Sequence, residues 1–127
     1  MHILLIEPDR VLAKSYASGL KAAGNTIAHT VDAQFAIQAA DEKAPDVVVV
    51  SLELARHNGI EFLYEFRSYS EWQDIPAVLL TNAPSTELGQ NNISHDQLGI
   101  VAVLIRTRTS VTDLVHTVER VAQRQGA

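Results

Sequence analysis

The sequence contains no cysteine, few basic residues and no long apolar run. Without cysteine, a disulfide framework, a zinc-finger type of site and a thiol nucleophile are all excluded. The chain has ten lysines and arginines and fifteen acidic residues. Its net charge of −5 provides no broad positive potential that would attract nucleic acid or anionic lipid. The first apolar run, Ile3–Ile6, is too short for a signal-peptide core or a membrane span. We therefore expect a cytoplasmic protein that binds neither nucleic acid nor membranes.

Strand-like and helix-like segments alternate along the 127 residues, of which 46% are hydrophobic. The predicted strands are Ile3–Ile6, Asn25–Thr30, the valine run Val47–Val50 that ends at Ser51, Ile75–Leu80 and Ile100–Ile105. Asp9 and Asp32 stand where helix N-caps are expected, and Gly24 ends the first helix. The segment Pro84–Leu98 predicts only a short, irregular helix. We treat residues 1–127 as one domain, either complete in itself or one module of a longer protein.

This alternation of strands and helices predicts an α/β fold, namely a five-stranded parallel sheet with helices on both faces, because parallel neighbouring strands need helical crossovers. The common strand order for five such strands is 2-1-3-4-5, with a crevice between the carboxyl ends of strands one and three. The order places Glu7, Pro8 and Asp9 opposite Ser51. The neighbouring strand ends then carry Thr81 and Arg106.

Three fragments, LLIEPD, PDVVVVSLELARHNGIEFL and IPAVLLTNA, resemble the receiver domain of two-component response regulators. The resemblance implies a flavodoxin-like, receiver-type fold and a phosphoacceptor pocket. In that family an aspartate ends strand three, and a glycine follows eight residues later; Gly59 keeps this spacing and places Ser51 at the aspartate position. Two adjacent acidic residues follow strand one in the family, whereas this chain has Glu7–Pro8, with Asp9 one place late.

The other pocket positions implied by the resemblance are only partly kept. Thr81 matches the threonine or serine that ends strand four, and Asn82 stands where a smaller residue is usual. Arg106 or Thr107 replaces the lysine that ends strand five. In the family, the counterpart of Thr81 turns toward the phosphoryl group in the active state; the sequence leaves open which orientation this chain adopts.

Aspartyl phosphorylation needs a carboxylate nucleophile and a magnesium ion held by oxygen ligands. Ser51 supplies no carboxylate, Pro8 has no side-chain oxygen, and arginine does not substitute for a lysine. We therefore predict a degenerate receiver (a pseudo-receiver) that is not an enzyme. It would act as a phosphorylation-independent signalling or docking module, with no magnesium or other cofactor and no small-molecule substrate.

Several roles remain open for the pocket residues. The Ser51 hydroxyl either becomes modified or simply donates a hydrogen bond to Thr81 or to backbone. Glu7, Asp9 and Glu53 either hold a cation or serve separate purposes, with Asp9 as an N-cap and Glu53 as a surface residue of the loop. Arg106 either pairs with Glu7 across the pocket or is solvated.

A second set of residues defines a candidate contact surface. In receivers, the face formed by the fourth helix, the fifth strand and the last helix commonly mediates dimerisation and docking. The corresponding residues here are Arg108, Thr112, His116, Arg120 and Arg124. They indicate either a protein partner or a homodimer, or else an ordinary solvated face. Tyr64, Tyr69 and Trp72 form either a docking patch or, for Trp72, packing beneath the loop before strand four.

Two alternative functions are consistent with the same sequence. One is residual phosphoryl or metal chemistry through Ser51 or Asp9. The other is the N-terminal regulatory domain of a longer transcription regulator, whose DNA contacts would lie in residues beyond this sequence.

Overall fold

The computed structural model describes residues 1–54, 58–82 and 98–126, with the backbone alone for 124–126. Its strands are β1 (His2–Ile6), β2 (Thr26–Thr30), β3 (Val47–Ser51), β4 (Ala77–Thr81) and β5 (Ile100–Ile105). Its α-helices are α1 (Arg10–Ala22), α2 (Ala33–Glu42), α3 (Gly59–Arg67) and α4 (Val111–Gly126), and Ser70–Trp72 and Arg106–Arg108 form 3₁₀ turns. Apart from Leu98, the helix predicted over Pro84–Leu98 lies outside the described residues.

The five strands form one parallel sheet in the order β2-β1-β3-β4-β5, which confirms the predicted architecture. Strand β2 lies at an edge of the sheet, as the predicted order requires. The fourth strand begins at Ala77 rather than at Ile75. Pro76 has no N–H to contribute to the ladder, and pairing with β5 starts with Ala77, opposite Ile100. The register then shifts by one residue, so that Val78 lies opposite Ala102.

Side chains of the central strands alternate between two cores because successive residues of a strand point to opposite faces. Leu4 and Ile6 of β1 join the core formed with α2 and α3. Ile3 and Leu5 join the core formed with α1 and α4. All five residues of β3 are buried, so its valine run is covered on both faces.

The N-termini of α1 and α2 are capped by aspartates that directly precede the helices. Asp9 Oδ1 accepts hydrogen bonds from the backbone N–H groups of Val11 and Leu12, both at 3.0 Å, and caps α1. Asp32 accepts from the N–H of Phe35 and caps α2. Both N-cap predictions are confirmed. None of the helices in the described segments has the length and apolarity needed to span a bilayer.

Gly59 begins α3 directly against the end of β3. Its N–H donates to the carbonyl of Leu52, and a Cβ atom at this position would collide with the carbonyl oxygen of Ser51. Only glycine allows this close approach of backbone to backbone. The glycine eight residues after Ser51 therefore has a steric role in placing the start of α3 against the carboxyl end of β3.

Trp72 is buried beneath the chain that leads into β4. Its ring stacks on Phe66, with ring centroids 4.9 Å apart, and contacts Tyr69. Arg67 donates to the carbonyls of Trp72 and Leu98 and ties the end of α3 to the start of β5. Trp72 is therefore a packing residue, whereas Tyr64 stays exposed.

Tyr16 of α1 is 1% exposed, and its hydroxyl has no hydrogen-bond partner among the described residues. Burial, followed by the negative charge of Glu7, raises the pKa of Tyr16 above its ordinary value of 10.0. At pH values near 10 and above, the folded state therefore keeps the hydroxyl proton of Tyr16, whereas an unfolded tyrosine has begun to lose it. The stability that the protonated tyrosine contributes is complete below about pH 10 and is lost as the pH rises further.

We predict that Tyr16→Phe leaves the free energy of unfolding unchanged or raises it by up to about 1 kcal/mol, since it removes an unpaired buried hydroxyl. The variant should also lose less stability than the wild type above pH 10. Urea unfolding at neutral and alkaline pH measures both effects. Tyr64→Phe, at a position 57% exposed, is the matched control and should change neither. A clear loss of stability in Tyr16→Phe at neutral pH would contradict this account.

Candidate functional site

The carboxyl ends of β1, β3, β4 and β5 surround a cavity of about 290 Å³. Parallel pairing brings these strand ends to one edge of the sheet, so residues distant in sequence meet there. The cavity is lined by Glu7, Pro8, Asp9, Leu12, Glu53, Asn82 and Arg106. Six of these seven are residues that the sequence placed at the site; Leu12 of α1 was not among them.

The centre of the site is an ion pair between Glu7 and Arg106. Arg106 Nε donates to Glu7 Oε1 and Nη2 donates to Oε2, both at 2.9 Å, so the contact is bidentate. The side chain of Glu7 is 0% exposed and that of Arg106 is 12% exposed. A charge buried to this degree requires a partner that is always ionised, and arginine meets that requirement.

Ser51 contacts the same carboxylate. Its hydroxyl donates to Glu7 Oε2 at 2.7 Å. The expectation that Ser51 would bond to Thr81 or to backbone is therefore wrong in its choice of partner. The hydroxyl proton is directed at a carboxylate already held by arginine, and the serine completes the hydrogen bonding of a buried anion.

Glu53 is a structural member of the site, which corrects its assignment as a simple surface residue of the loop. Its Oε2 accepts from the hydroxyl of Thr81 at 2.8 Å, and its Oε1 accepts from the backbone N–H of Asn82 at 2.8 Å. Arg106 Nη1 also donates to Oε1, at 2.9 Å. The side chain is 39% exposed and joins the loop after β3 to the ends of β4 and β5.

Arg106, not Thr107, occupies the pocket. The 3₁₀ turn Arg106–Arg108 follows β5 directly, and Thr107 is exposed within it. The one-residue ambiguity at the end of β5 is thereby resolved. The hydroxyl of Thr81 is directed toward Glu53, inside the site.

The pocket residues that the structure describes do not fit a magnesium ion. Both oxygens of Glu7 and both oxygens of Glu53 already accept hydrogen bonds, and a guanidinium lies between the two carboxylates. Asp9 uses one oxygen to cap α1, and Pro8 has no side-chain ligand. In the described part of the chain, no group of three or more histidines or acidic residues is arranged to hold a metal.

The candidate contact surface is described in part. Thr112, His116 and Arg120 are exposed on α4, and Arg108 is exposed at its turn. The side chain of Arg124 lies outside the described residues. On the neighbouring strand β5, Val101 is 43% exposed. These positions are compatible with a contact surface and equally with a solvated one.

The sequence did not reveal the role of Glu53 or of the backbone N–H of Asn82. A glutamate two positions beyond a buried strand is a weak signal, since such residues are usually solvated. The contacts depend on where the backbone places Glu53 relative to the end of β4, which the sequence pattern does not specify.

The profile of the response regulator receiver domain family matches residues 3–116. The chain therefore belongs to this family. Among solved structures, the chemotaxis protein CheY4 of Vibrio cholerae superposes with a TM-score of 0.83 at 21% identity, covering 94% of this chain and 96% of that one. A CheY-like receiver domain protein of Methanospirillum hungatei gives a TM-score of 0.84 at 16% identity, covering 98% and 95%. These likenesses are evidence of the shared fold.

Two curated relatives are each 33% identical to this chain. The transcriptional regulatory protein QseB of Haemophilus influenzae aligns over 81 residues, which is 64% of this chain and 36% of that protein. The probable transcriptional regulatory protein TcrX of Mycobacterium tuberculosis aligns over 85 residues, which is 67% of this chain and 36% of that protein. The matched region thus spans about a third of the length of either relative.

We predict that Arg106→Met lowers the free energy of unfolding by about 3–5 kcal/mol, because it leaves the buried carboxylate of Glu7 without its cation. Chemical denaturation at pH 7 measures the loss. Adding Glu7→Gln to Arg106→Met should restore part of the stability, since the remaining buried group is then neutral.

Arg108→Met is the matched control, because Arg108 is exposed on the same turn. It should change the stability by less than about 0.5 kcal/mol. Equal effects of the two arginine substitutions would show that the Glu7–Arg106 contact does not hold the strand ends together.

Proposed function

We propose that this receiver domain is a degenerate one that acts as a phosphorylation-independent signalling or protein-docking module, not as an enzyme. The observation that carries the proposal is the ion pair of Arg106 with Glu7, which is completed by Ser51 and lies at the carboxyl ends of the strands. The cytoplasmic location and the single-domain organisation expected from the sequence belong to the same proposal.

The chemistry of Ser51 supports this proposal. A serine becomes a nucleophile when an adjacent base accepts its proton. Here the hydroxyl donates to Glu7, but both oxygens of that carboxylate also accept from Arg106, so the carboxylate is already engaged and is not free to take up the serine proton. Ser51 is also fully buried, so a phosphodonor has no direct approach to it.

The absence of a magnesium requirement is part of the proposal. Family chemistry would need a divalent cation to balance the charge of an incoming phosphoryl group. Arg106 supplies a fixed positive charge at the same strand ends and contacts both carboxylates. A magnesium ion would have to displace this guanidinium or bind beside it against electrostatic repulsion.

The docking surface we propose is the face of β5 and α4 that carries Arg108, Thr112, His116 and Arg120, together with Arg124. Its partner would be another protein or a second copy of this chain. Exposed positions on adjacent elements and two described arginines favour a partner surface with acidic residues at its rim.

We predict that incubation with acetyl phosphate and magnesium leaves the intact mass of the protein unchanged, because neither a carboxylate nucleophile nor a free base is available at Ser51. Mass spectrometry measures the outcome, with an ordinary phosphorylatable receiver domain as positive control. An added phosphate that disappears in Ser51→Ala but persists in Ser110→Ala would instead establish residual phosphoryl chemistry at Ser51. An added phosphate lost in Asp9→Asn would assign that chemistry to Asp9.

A second candidate function is the regulatory domain of a longer transcription regulator. It is favoured by the two curated relatives named as transcriptional regulatory proteins, whose aligned segments make up only 36% of their lengths. The reading frame beyond Ala127 tests this candidate. A following segment with a helix-turn-helix pattern, and binding of the full-length product to DNA, would support it; a stop codon directly after Ala127 would exclude it.

A further inference from the structure

The carboxylate of Glu53 is more extensively hydrogen-bonded than a solvated surface glutamate would be. Its two carboxylate oxygens accept three hydrogen bonds from three different donors, namely the hydroxyl of Thr81, the backbone N–H of Asn82 and the guanidinium of Arg106. A hydroxyl, an amide N–H and a guanidinium that converge on one group form a typical binding site for an oxyanion. In this chain the oxyanion is part of the protein.

The three donors are held in place without help from Glu53. Arg106 is fixed by its bidentate contact with Glu7, which uses Nε and Nη2 and leaves Nη1 directed at Glu53. Thr81 is the last residue of β4, where it lies opposite Ile105 of β5 in the sheet, and Asn82 follows it. Glu53 itself belongs to the loop after β3 and is more than a third exposed.

We propose that Glu53 is the built-in ligand of an oxyanion site formed by Thr81, Asn82 and Arg106. Its carboxylate joins the ends of β4 and β5 to the loop after β3 without any bound phosphate. If Glu53 is removed, the three donors remain and take up a small external oxyanion. This inference rests on the proposed function and adds to it the means by which the strand ends are held without phosphorylation.

The local charge selects the class of external ligand. Without Glu53, the positive charge of Arg106 is balanced by Glu7, and Asp9 lines the same cavity. A singly charged carboxylate therefore suits the vacated site better than a phosphate dianion, which would meet stronger repulsion. Acetate is the natural probe, because Glu53→Ala removes a CH₂ group and a carboxylate, the same carbons and charge that acetate carries.

The experiment is chemical rescue of Glu53→Ala by acetate. We expect the melting temperature of this variant to fall by roughly 3–8 °C, since the loss of three hydrogen bonds to one carboxylate lowers the stability of a domain of this size by that order. Sodium acetate at about 0.1 M should restore at least half of this loss relative to sodium chloride at the same ionic strength, which screens exposed charges equally. The backbone amide signal of Asn82 should shift with acetate in the variant and not in the wild type.

Two further variants separate the site from general effects. Glu65→Ala removes an exposed glutamate from α3 and should show no acetate-specific stabilisation. Glu53→Gln keeps the size of the side chain but directs an NH₂ group toward donors, so it should be destabilised and not rescued, because the space is filled. Phosphate in place of acetate should rescue Glu53→Ala less well.

Equal melting temperatures of Glu53→Ala and the wild type would overturn the proposal, as would rescue by chloride to the same extent as by acetate. Stronger rescue by phosphate than by acetate would show that the vacated site is a phosphate site and would overturn the assignment of ligand class. These outcomes are independent of the phosphodonor experiment on the wild-type chain. A chain that becomes phosphorylated refutes the proposed function directly, whereas a failed rescue refutes only the role of Glu53.

Discussion

The buried carboxylate of Glu7 is the constraint on which the rest of the site depends. An ionised group with no solvent exposure costs several kcal/mol unless a permanent charge partner and hydrogen bonds satisfy it. Arg106, 99 positions away, supplies both through two parallel hydrogen bonds, and Ser51 supplies one more. The pair can form only because the β2-β1-β3-β4-β5 order brings the carboxyl ends of β1 and β5 to the same edge, with β3 and β4 between them. Sheet topology and side-chain chemistry therefore specify the same pairing.

Glu53 adds a second carboxylate on the other side of the same guanidinium. Glu7 and Glu53 differ in environment, since the first is sealed in the core and the second is partly exposed on a loop. The buried contact fixes where the guanidinium lies, and the exposed contact uses the fixed guanidinium to attach the loop to the end of β4. This division explains how a flexible side chain such as arginine acts as a rigid part of the site: three of its nitrogens are engaged by groups from two different segments.

The sequence was sufficient to predict the strands, their order and the N-caps at Asp9 and Asp32, because these depend on periodicity and on local hydrogen bonding. Strand order brought Glu7 and Arg106 to the same edge of the sheet, since both residues directly follow strands, but it left open whether they pair or Arg106 is solvated. The partners of Ser51 and Glu53 did not follow, because a hydroxyl or carboxylate at a strand end has several acceptors or donors within reach. The choice among them depends on the backbone positions directly after β3, where Gly59 approaches the carbonyl oxygen of Ser51. Periodicity and local propensity do not specify those positions.

A switch needs two arrangements whose difference in free energy is small enough for a ligand to reverse, and the ligand must bind one of them better. In this chain, the groups that would distinguish a bound phosphoryl group from solvent are engaged with one another: the hydroxyl of Thr81 with Glu53, and the guanidinium of Arg106 with both carboxylates. A phosphoryl ligand would first have to break these internal contacts, including one that involves a fully buried charge, so its net preference for either arrangement would be small. On the proposed function, the output of the domain would follow mass action instead: it would depend on the concentrations of the domain and of its partner, and on their affinity at the docking surface. Such a dependence on concentration is what a phosphorylation-independent docking module would show.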